Sequence, residues 1–135
     1  MTLRCLIVDD DHQFLRIARR VLEHEGVEVV AVSSTGADAL ARQRELRPDV
    51  ALVDVDLGDE DGFDLAARLT GGARCGPSPV IMISARAECD FADMVEDSSA
   101  LAFLPKTDLS ASVIAAILRR HCGDGEAALS GPPGT

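Results

Sequence analysis

The stretch LRCLIVDDD, residues 3–11, decides the fold, because a short apolar run ends abruptly in three aspartates. Three further apolar runs have the same form and lead, in chain order, into Asp54, Ser84 and Lys106. Short and nearly continuous apolar runs are typical of strands that are buried on both faces of a parallel sheet. Because parallel strands all end at the same edge of a sheet, we expect these polar residues to converge there.

The segments between the runs have the spacing of amphipathic helices. The first is capped by Asp11, ends near Gly26 and has on its inward face Phe14, Leu15, Ala18 and Leu22. A second strand is predicted over residues 27–32, and Thr35 is placed to cap a helix that reaches Leu46. A polar turn at residues 58–62 leads into a third helix over residues 63–69.

The second half of the chain continues this alternation. A Gly/Pro-rich loop at residues 71–79 is predicted to be mobile, and a weak helix is expected over residues 90–98. Thr107 or Asp108 is predicted to cap the last helix, whose inward stripe would be Leu109, Val113, Ala116 and Ile117. Strands that alternate with helices in this way predict a three-layer α/β fold, a doubly wound five-stranded parallel sheet. Residues 1–122 would form this domain, and residues 123–135 a disordered tail or the stub of a linker.

Composition excludes several classes of function. The chain has 135 residues and a net charge of −10, without a cluster of basic residues, so we expect no direct binding to nucleic acid or to an anionic membrane. No apolar run approaches the ~20 residues that span a bilayer, and no signal peptide is visible, so the expected location is the cytoplasm. The four cysteines lack CxxC or zinc-site spacing and are predicted to be free thiols.

The polar residues at the expected sheet edge suit phosphoryl chemistry. Asp9, Asp10 and Asp54 would lie close together, and such a cluster must either raise a pKa or bind a cation, for which Mg2+ is well suited. Lys106, the one lysine beside twelve arginines, would provide a positive charge opposite the metal, and Ser84 a hydrogen-bond donor. A carboxylate can itself be the nucleophile that forms an aspartyl phosphate. The simpler alternative is that acids after a strand only cap the following helix.

These residues resemble the receiver domain of two-component response regulators over about residues 3–121. The similarity lies in four motifs, which are LIVDDD at 6–11, LVDVDLGDEDG at 52–62, VIMISA at 80–85 and FLPK at 103–106. The resemblance implies a flavodoxin-like sheet with strand order 2-1-3-4-5. It also implies a cytoplasmic phosphorelay signalling domain, not a turnover enzyme, that is phosphorylated by a sensor histidine kinase or a phosphotransfer protein.

The resemblance assigns roles by position. Asp54 would be the phosphoacceptor, Asp10 would ligate Mg2+ directly, Asp9 would act mainly through water, and Asp56 would offer its backbone carbonyl. The residues that would bind the phosphoryl group or switch with it are Ser84, Ala85, Lys106 and Phe103. Activation would repack the face formed by the fourth helix, the fifth strand and the fifth helix, for docking to a downstream protein or for self-association.

The chain departs from the family pattern at two positions near the site. Gly58 stands where many relatives have proline, which should loosen the loop after Asp54. Thr107 stands where many have proline after the lysine, which puts a cis bond at Lys106–Thr107 in doubt. Arg86, near the site entrance, is a candidate for tuning phosphoryl hydrolysis.

Two other functions compete with the receiver interpretation. Asp54-Val55-Asp56 also resembles the DxD motif of haloacid-dehalogenase-type phosphatases, although Gly58 and the position on the third strand fit that motif poorly. The other alternative is a phosphorylation-independent interaction module with the same fold. The chain could be a stand-alone receiver or the receiver part of a longer regulator.

Overall fold

A five-stranded parallel sheet forms the centre of the structure, a computed structural model that describes residues 2–73, 75–85, 95 and 98–122. The sheet strands are β1 (Arg4–Val8), β2 (Glu28–Ser33), β3 (Val50–Asp54), β6 (Val80–Ser84) and β7 (Ala102–Pro105). A small hairpin of β4 (Asp56–Leu57) and β5 (Glu60–Asp61) follows β3, and the helices are α1 (His12–His24), α2 (Gly36–Leu46), α3 (Gly62–Thr70) and α4 (Ala111–Cys122).

The order of the strands in the sheet is β2-β1-β3-β6-β7, and every neighbouring pair is parallel. Since β6 and β7 are the fourth and fifth strands of this sheet, the expected order 2-1-3-4-5 is confirmed. The order reverses direction between β1 and β3, and in open α/β sheets ligands bind at such a switch point. Asp9 and Asp54 lie at that point, at the carboxyl ends of β1 and β3.

The sheet buries apolar side chains on both faces. One core cluster joins the sheet to α2 and α3 through Ala39, Leu65, Ala66 and Leu69. The other joins it to α1 and α4 through Leu15, Ala18, Leu22 and Ile114. Successive residues of β1 alternate between the two clusters, as the two-residue period of a strand requires. Burial on both faces explains why the strand sequences read as continuous apolar runs.

The predicted N-caps of the first two helices are confirmed. Asp11 Oδ1 accepts hydrogen bonds from the backbone N–H groups of Gln13 and Phe14, at 3.0 and 3.2 Å, and so caps α1. Thr35 caps α2 through the N–H of Asp38 at 3.2 Å. Gly26, with a φ of 92°, lies just beyond the end of α1 and adopts the left-handed backbone that glycine tolerates best.

The start of the last helix was predicted wrongly. Thr107 and Asp108 lie in a short 3-10 helix (Lys106–Asp108), so the cap falls later, where the Ser110 hydroxyl accepts from Val113 N–H at 3.2 Å. Glu25 Oε1 accepts a second N–H of this helix end, that of Ala111, at 2.6 Å.

The inward stripe of α4 also differs from the prediction. Its fully buried residue is Ile114, whereas Ala116 is exposed. The other expected members of the stripe, Leu109, Val113 and Ile117, are partly buried against the core. The helix therefore presents a face that is centred on Ile114, between the residues that the sequence pattern selected.

The prediction that all four cysteines are free is wrong for two of them. Cys75 and Cys122 form a disulfide that joins the loop before β6 to the last residue of α4. A separation of 47 residues leaves no local sign of this pairing in the sequence. Cys5 is a free, buried thiol, and burial raises its pKa to about 12. Cys89 lies outside the described residues.

Two anchors hold the loop that the sequence predicted to be mobile. Besides the disulfide, the buried Ser78 donates to the carbonyl oxygen of Pro48 at 3.0 Å. Gln43 Nε2 in turn lies 3.4 Å from Ser78 Oγ and 3.2 Å from the carbonyl oxygen of Leu69. These bonds satisfy buried polar groups and tie the loop to α2 and α3.

Several expectations fall on residues that the structure does not describe. They are residues 90–94 and 96–97 of the expected weak helix, together with Arg86 and the tail at residues 123–135. Of the rest of that helix, Val95 is helical and buried, whereas Ser98 lies in a bend, so the helix does not extend to the predicted end. Within the described part of the chain, the helices are too short or too polar to cross a bilayer.

Candidate functional site

Three aspartates meet at the carboxyl edge of the sheet. Asp9 follows β1, Asp54 ends the neighbouring β3, and Asp10 completes a group whose carboxylate oxygens lie within 4.8 Å of one another. Asp9 is fully buried, Asp54 is 7% exposed and Asp10 is exposed to solvent. Asp9 Oδ1 accepts the backbone N–H of Asp11 at 2.9 Å, which leaves Asp9 Oδ2 facing the site.

The Lys106 ammonium bridges two of these acids. Its Nζ lies 2.6 Å from Asp9 Oδ2 and 3.5 Å from Asp54 Oδ2, and its side chain is largely buried. Burial by itself lowers the pKa of Lys106, but the contacts with Asp9 and Asp54 outweigh it and place the pKa above its usual value. Lys106 is therefore a permanent cation at this edge.

Burial and a neighbouring carboxylate both disfavour the ionised form of Asp54 and raise its pKa. Burial, and next the neighbouring Asp9 carboxylate, raise the pKa of Asp54 to about 7. The Lys106 ammonium and the backbone N–H of Asp56, 3.3 Å from Asp54 Oδ1, act in the opposite direction without cancelling this rise. Lys106 thus contacts two of the three clustered carboxylates, and its charge only partly offsets the effects of burial and of Asp9 on Asp54.

The donor set fits a divalent cation with a preference for oxygen ligands. Asp9 Oδ2 is buried and accepts no well-aligned hydrogen bond from the described residues, although the Lys106 ammonium touches it. Asp10 offers a solvent-accessible carboxylate beside it. Mg2+ binds through one or two carboxylates while it keeps several waters, and this arrangement of one exposed and two buried acids suits that mode.

The loop after Asp54 follows a path that proline could not adopt. Gly58 has a φ of 75°, whereas proline is fixed near −65°. A Cβ at Gly58 would also lie 3.2 Å from Asp10 Oδ2. The loop is nevertheless held in place, because Asp56 Oδ1 accepts the N–H of Gly58 at 3.1 Å and the β4/β5 hairpin closes the turn. The expected loosening at Gly58 is therefore countered by local bonds.

Two further contacts fix this loop to its surroundings. Both carboxylate oxygens of Glu60 accept the N–H of Gly36, at 3.1 and 3.0 Å, which joins the loop to the start of α2. Gly62 lies so close to the Asp54 carbonyl oxygen that any Cβ there would collide with it. The Glu60 contact with Gly36 was not predicted, because the two residues are 24 positions apart in the sequence.

The remaining expected site residues lie on β6 and β7. Ile83 of β6 is opposite Asp54 in the register, so the buried Ser84 follows at the same edge, and Ala85 is exposed just beyond it. Phe103 lies opposite Met82 and packs against the core cluster on the α2 and α3 side. No cis peptide bond occurs in the described residues, so the Lys106–Thr107 bond is trans.

One neighbour of Lys106 was assigned only a core position from the sequence. The ring of Phe14, in the first turn of α1, has its centroid 4.3 Å from Lys106 Nζ. The helical pattern correctly placed Phe14 on the inward face, where it is partly buried, but gave no sign of the lysine.

Comparison with known proteins agrees with this geometry. The family model of the response regulator receiver domain matches residues 5–118. A protein-glutamate methylesterase/protein-glutamine glutaminase of Alkalilimnicola ehrlichii is 33% identical over 109 residues, which cover 78% of this chain and 27% of that protein. The transcriptional regulatory protein KdpE of Mycobacterium tuberculosis is 41% identical over 88 residues, 65% of this chain and 37% of that protein. The matched part of the chain spans 22–37% of the length of the curated relatives.

Solved structures give the same assignment. The receiver domain of the putative response regulator NarL from Mycobacterium tuberculosis is similar with a TM-score of 0.73 and 29% identity, over 86% of this chain and 96% of that one. The receiver domain of a modulated diguanylate cyclase from Desulfovibrio desulfuricans has a TM-score of 0.75 and 27% identity, over 95% and 99%. The phosphatase alternative loses its support, and the predicted fold and family are confirmed. By sequence and by fold, this chain belongs to the response regulator receiver domain family, the signalling domains of two-component systems.

Proposed function

We propose that Asp54 accepts a phosphoryl group from the phosphohistidine of a sensor histidine kinase or a phosphotransfer protein, in a Mg2+-dependent reaction in the cytoplasm. The observation that carries the proposal is that Asp54 lies both in the aspartate cluster and beside the Lys106 ammonium. Its carboxylate is part of the three-aspartate cluster and is also 3.5 Å from the Lys106 ammonium. A phosphoryl group on Asp54 would therefore lie between a metal site and a fixed cation, as phosphoryl transfer requires.

The transfer needs an ionised Asp54. One carboxylate oxygen attacks phosphorus, the bond from phosphorus to the histidine nitrogen breaks, and the imidazole leaves with the electron pair. The N–H of Asp56 orients Asp54 Oδ1, while Lys106 faces Oδ2 and the phosphoryl oxygens that arrive there. Asp9, Asp10, Asp54 and the backbone carbonyl of Asp56 would hold Mg2+, which supplies positive charge that keeps Asp54 ionised and neutralises the phosphoryl group.

The response to phosphorylation would pass through β6 and β7. Ser84 donates its hydroxyl, and Ala85 its backbone N–H, to the new phosphoryl oxygens, and Phe103 repacks with Ser84. The surface that changes consists of the segment before β7, β7 itself and α4. This surface would bind a downstream protein or a second copy of the chain. Because the full chain has a net charge of −10, we expect it not to bind nucleic acid directly. Residues 1–122 would act as the receiver and residues 123–135 as its tail or linker, with no catalytic turnover.

Incubation with acetyl phosphate and Mg2+, followed by intact mass measurement, tests this function. Wild type should gain one phosphoryl group, and Asp54→Ala none. Asp59→Ala is a matched control, because Asp59 is an exposed acid of the same loop, and it should be phosphorylated like wild type. EDTA should abolish the adduct. An unmodified wild type, or an adduct that survives in Asp54→Ala, would refute the assignment, and partner binding that is insensitive to Asp54→Ala would favour a phosphorylation-independent module.

A further inference from the structure

Among the described residues, the Lys106 ammonium contacts two acids and one aromatic ring. Asp9 and Asp54 contact Nζ at 2.6 and 3.5 Å, and the face of the Phe14 ring lies against it with the centroid at 4.3 Å. A cation over an aromatic face is attracted by the ring quadrupole, and the attraction is stronger where water is excluded. The Lys106 side chain is 14% exposed, so this contact is largely shielded from solvent.

Phe14 is fixed in place independently of the lysine. Its backbone N–H donates to Asp11 Oδ1, the cap of α1, and its side chain packs on the core cluster that contains Leu15 and Ile83. The same segment carries Asp9 at the end of β1. One continuous piece of chain therefore supplies both the carboxylate and the ring that contact Lys106, and the packing of the ring on the core restricts its movement.

A lysine ammonium depends more than an arginine guanidinium on surrounding contacts to keep one position. The four-carbon stem of lysine is flexible, and its ammonium is a compact charge without the planar fork that preorganises arginine. Asp9 is the nearer of the two carboxylates, so the acids alone would draw the ammonium toward Asp9. The Phe14 ring adds a third, uncharged contact at Lys106 Nζ, which restricts the ammonium in addition to the attraction of the two acids.

We propose that Phe14 is a positioning residue for Lys106, which holds the ammonium where it can meet phosphoryl oxygens on Asp54. The inference rests on the proposed role of Asp54 as phosphoacceptor. Loss of the ring leaves the nearer Asp9, the more distant Asp54 and water to hold the ammonium, so fewer molecules have it directed toward Asp54. We expect Phe14→Leu to lower the initial rate of phosphorylation by acetyl phosphate about fivefold to tenfold.

The first experiment observes the contact without any phosphorylation. Because Lys106 is the single lysine, protein labelled with 13C-lysine gives one set of side-chain NMR signals. Protons over an aromatic face resonate upfield, so the Lys106 Hε signal should be displaced upfield in wild type and in Phe14→Tyr, and return to an ordinary position in Phe14→Leu. A signal that is unchanged in Phe14→Leu would overturn the proposal, whatever the kinetics show.

The second experiment is a double-mutant cycle on the phosphorylation rate. Phe14→Leu should slow the reaction in the wild-type background and have no further effect beside Lys106→Met, whereas a general packing defect would slow both. Phe63→Leu is the matched control, because Phe63 also lies in the first turn of a helix with an aspartate cap, on the other face of the sheet. It should react at the wild-type rate, and Phe14→Tyr should restore the rate lost in Phe14→Leu.

The outcomes separate the two proposals. If wild type forms the Asp54 adduct and Phe14→Leu reacts equally fast, the role of Phe14 is refuted and that of Asp54 stands. If wild type forms no adduct, the function of Asp54 fails and the positioning role fails with it, even where the NMR signal shows the ring contact.

Discussion

Removing the charge of Asp54 should stabilise the metal-free protein. In Asp54→Asn the side chain keeps its shape, while the cluster loses one of three carboxylates that lie within 4.8 Å of one another. Burial and Asp9 disfavour the ionised form of Asp54 in the folded state, whereas the unfolded chain ionises freely. Ionisation at neutral pH therefore costs folding free energy, and the substitution removes that cost.

The size of the effect follows from the pKa of Asp54, which burial and Asp9 raise from 3.8 to about 7. At about 1.4 kcal/mol for each pKa unit, this rise sets a ceiling of about 4 kcal/mol. Water that reaches the open edge of the site screens the charges, and the amide also loses its attraction to Lys106. We therefore expect a gain of about 1–2 kcal/mol in the free energy of unfolding at pH 8.

The difference in the free energy of unfolding between Asp54→Asn and wild type depends on pH. Between about pH 4 and pH 7 the folded protein binds more protons at Asp54 than the unfolded chain does, so wild-type stability falls as pH rises through this range. Asp54→Asn lacks this component, and its advantage should grow from near zero at pH 4 to its full value above pH 7.

Urea unfolding in EDTA at several pH values measures this difference. Asp59→Asn, at an exposed position of the same loop, should match wild type throughout. Mg2+ at ten times its dissociation constant should stabilise wild type by about 1.4 kcal/mol and Asp54→Asn by less. The difference in the free energy of unfolding between the two proteins should therefore become smaller. An Asp54→Asn protein that is less stable than wild type at pH 8 without metal would show that Lys106 already balances the cluster.

Three other perturbations have defined outcomes. Lys106→Arg should leave folding and Mg2+ binding intact but uncouple phosphorylation from any change in partner binding. Titration of the partner with phosphorylated and with unmodified protein measures this coupling. Normal coupling in the variant would show that the lysine is not required. Gly62→Ala should lower the free energy of unfolding in urea by about 1–3 kcal/mol, because the added Cβ collides with the Asp54 carbonyl oxygen, and an unchanged midpoint would contradict that packing. Cys75→Ser should lower the free energy of unfolding by about 2–4 kcal/mol, because the disulfide is lost. A reductant should destabilise wild type but not the variant, and equal sensitivity of the two proteins would argue against the Cys75–Cys122 bond.

The parts of the fold that were predictable are those that local sequence determines. The apolar runs gave the five strands because both of their faces are buried, and Asp11 and Thr35 cap helices through bonds to residues two or three positions away. The convergence of Asp9, Asp54 and Lys106 followed from the parallel direction of the strands, since all of them end at one edge.

The features that were missed depend on contacts between distant parts of the chain. The Glu60–Gly36 bond, the ring of Phe14 beside Lys106 and the disulfide each join separate elements, and no local pattern signals them. The cap of α4 was misplaced for a local reason, because the 3-10 helix (Lys106–Asp108) uses the residues that otherwise favour a helix start. Residue types at the ends of the strands thus predicted which side chains form the site, whereas the contacts that position them depend on tertiary packing.

A hydrogen bond at the first residue of α4 and a disulfide at its last residue limit how this helix can move. Its first N–H is held by Glu25, at the end of α1, and its last residue is bonded covalently to the loop before β6. These two attachments restrain both ends of α4 against sliding and tilting. We therefore expect a response at this surface to involve the solvent-facing side chains of α4, while both ends of the helix stay in place.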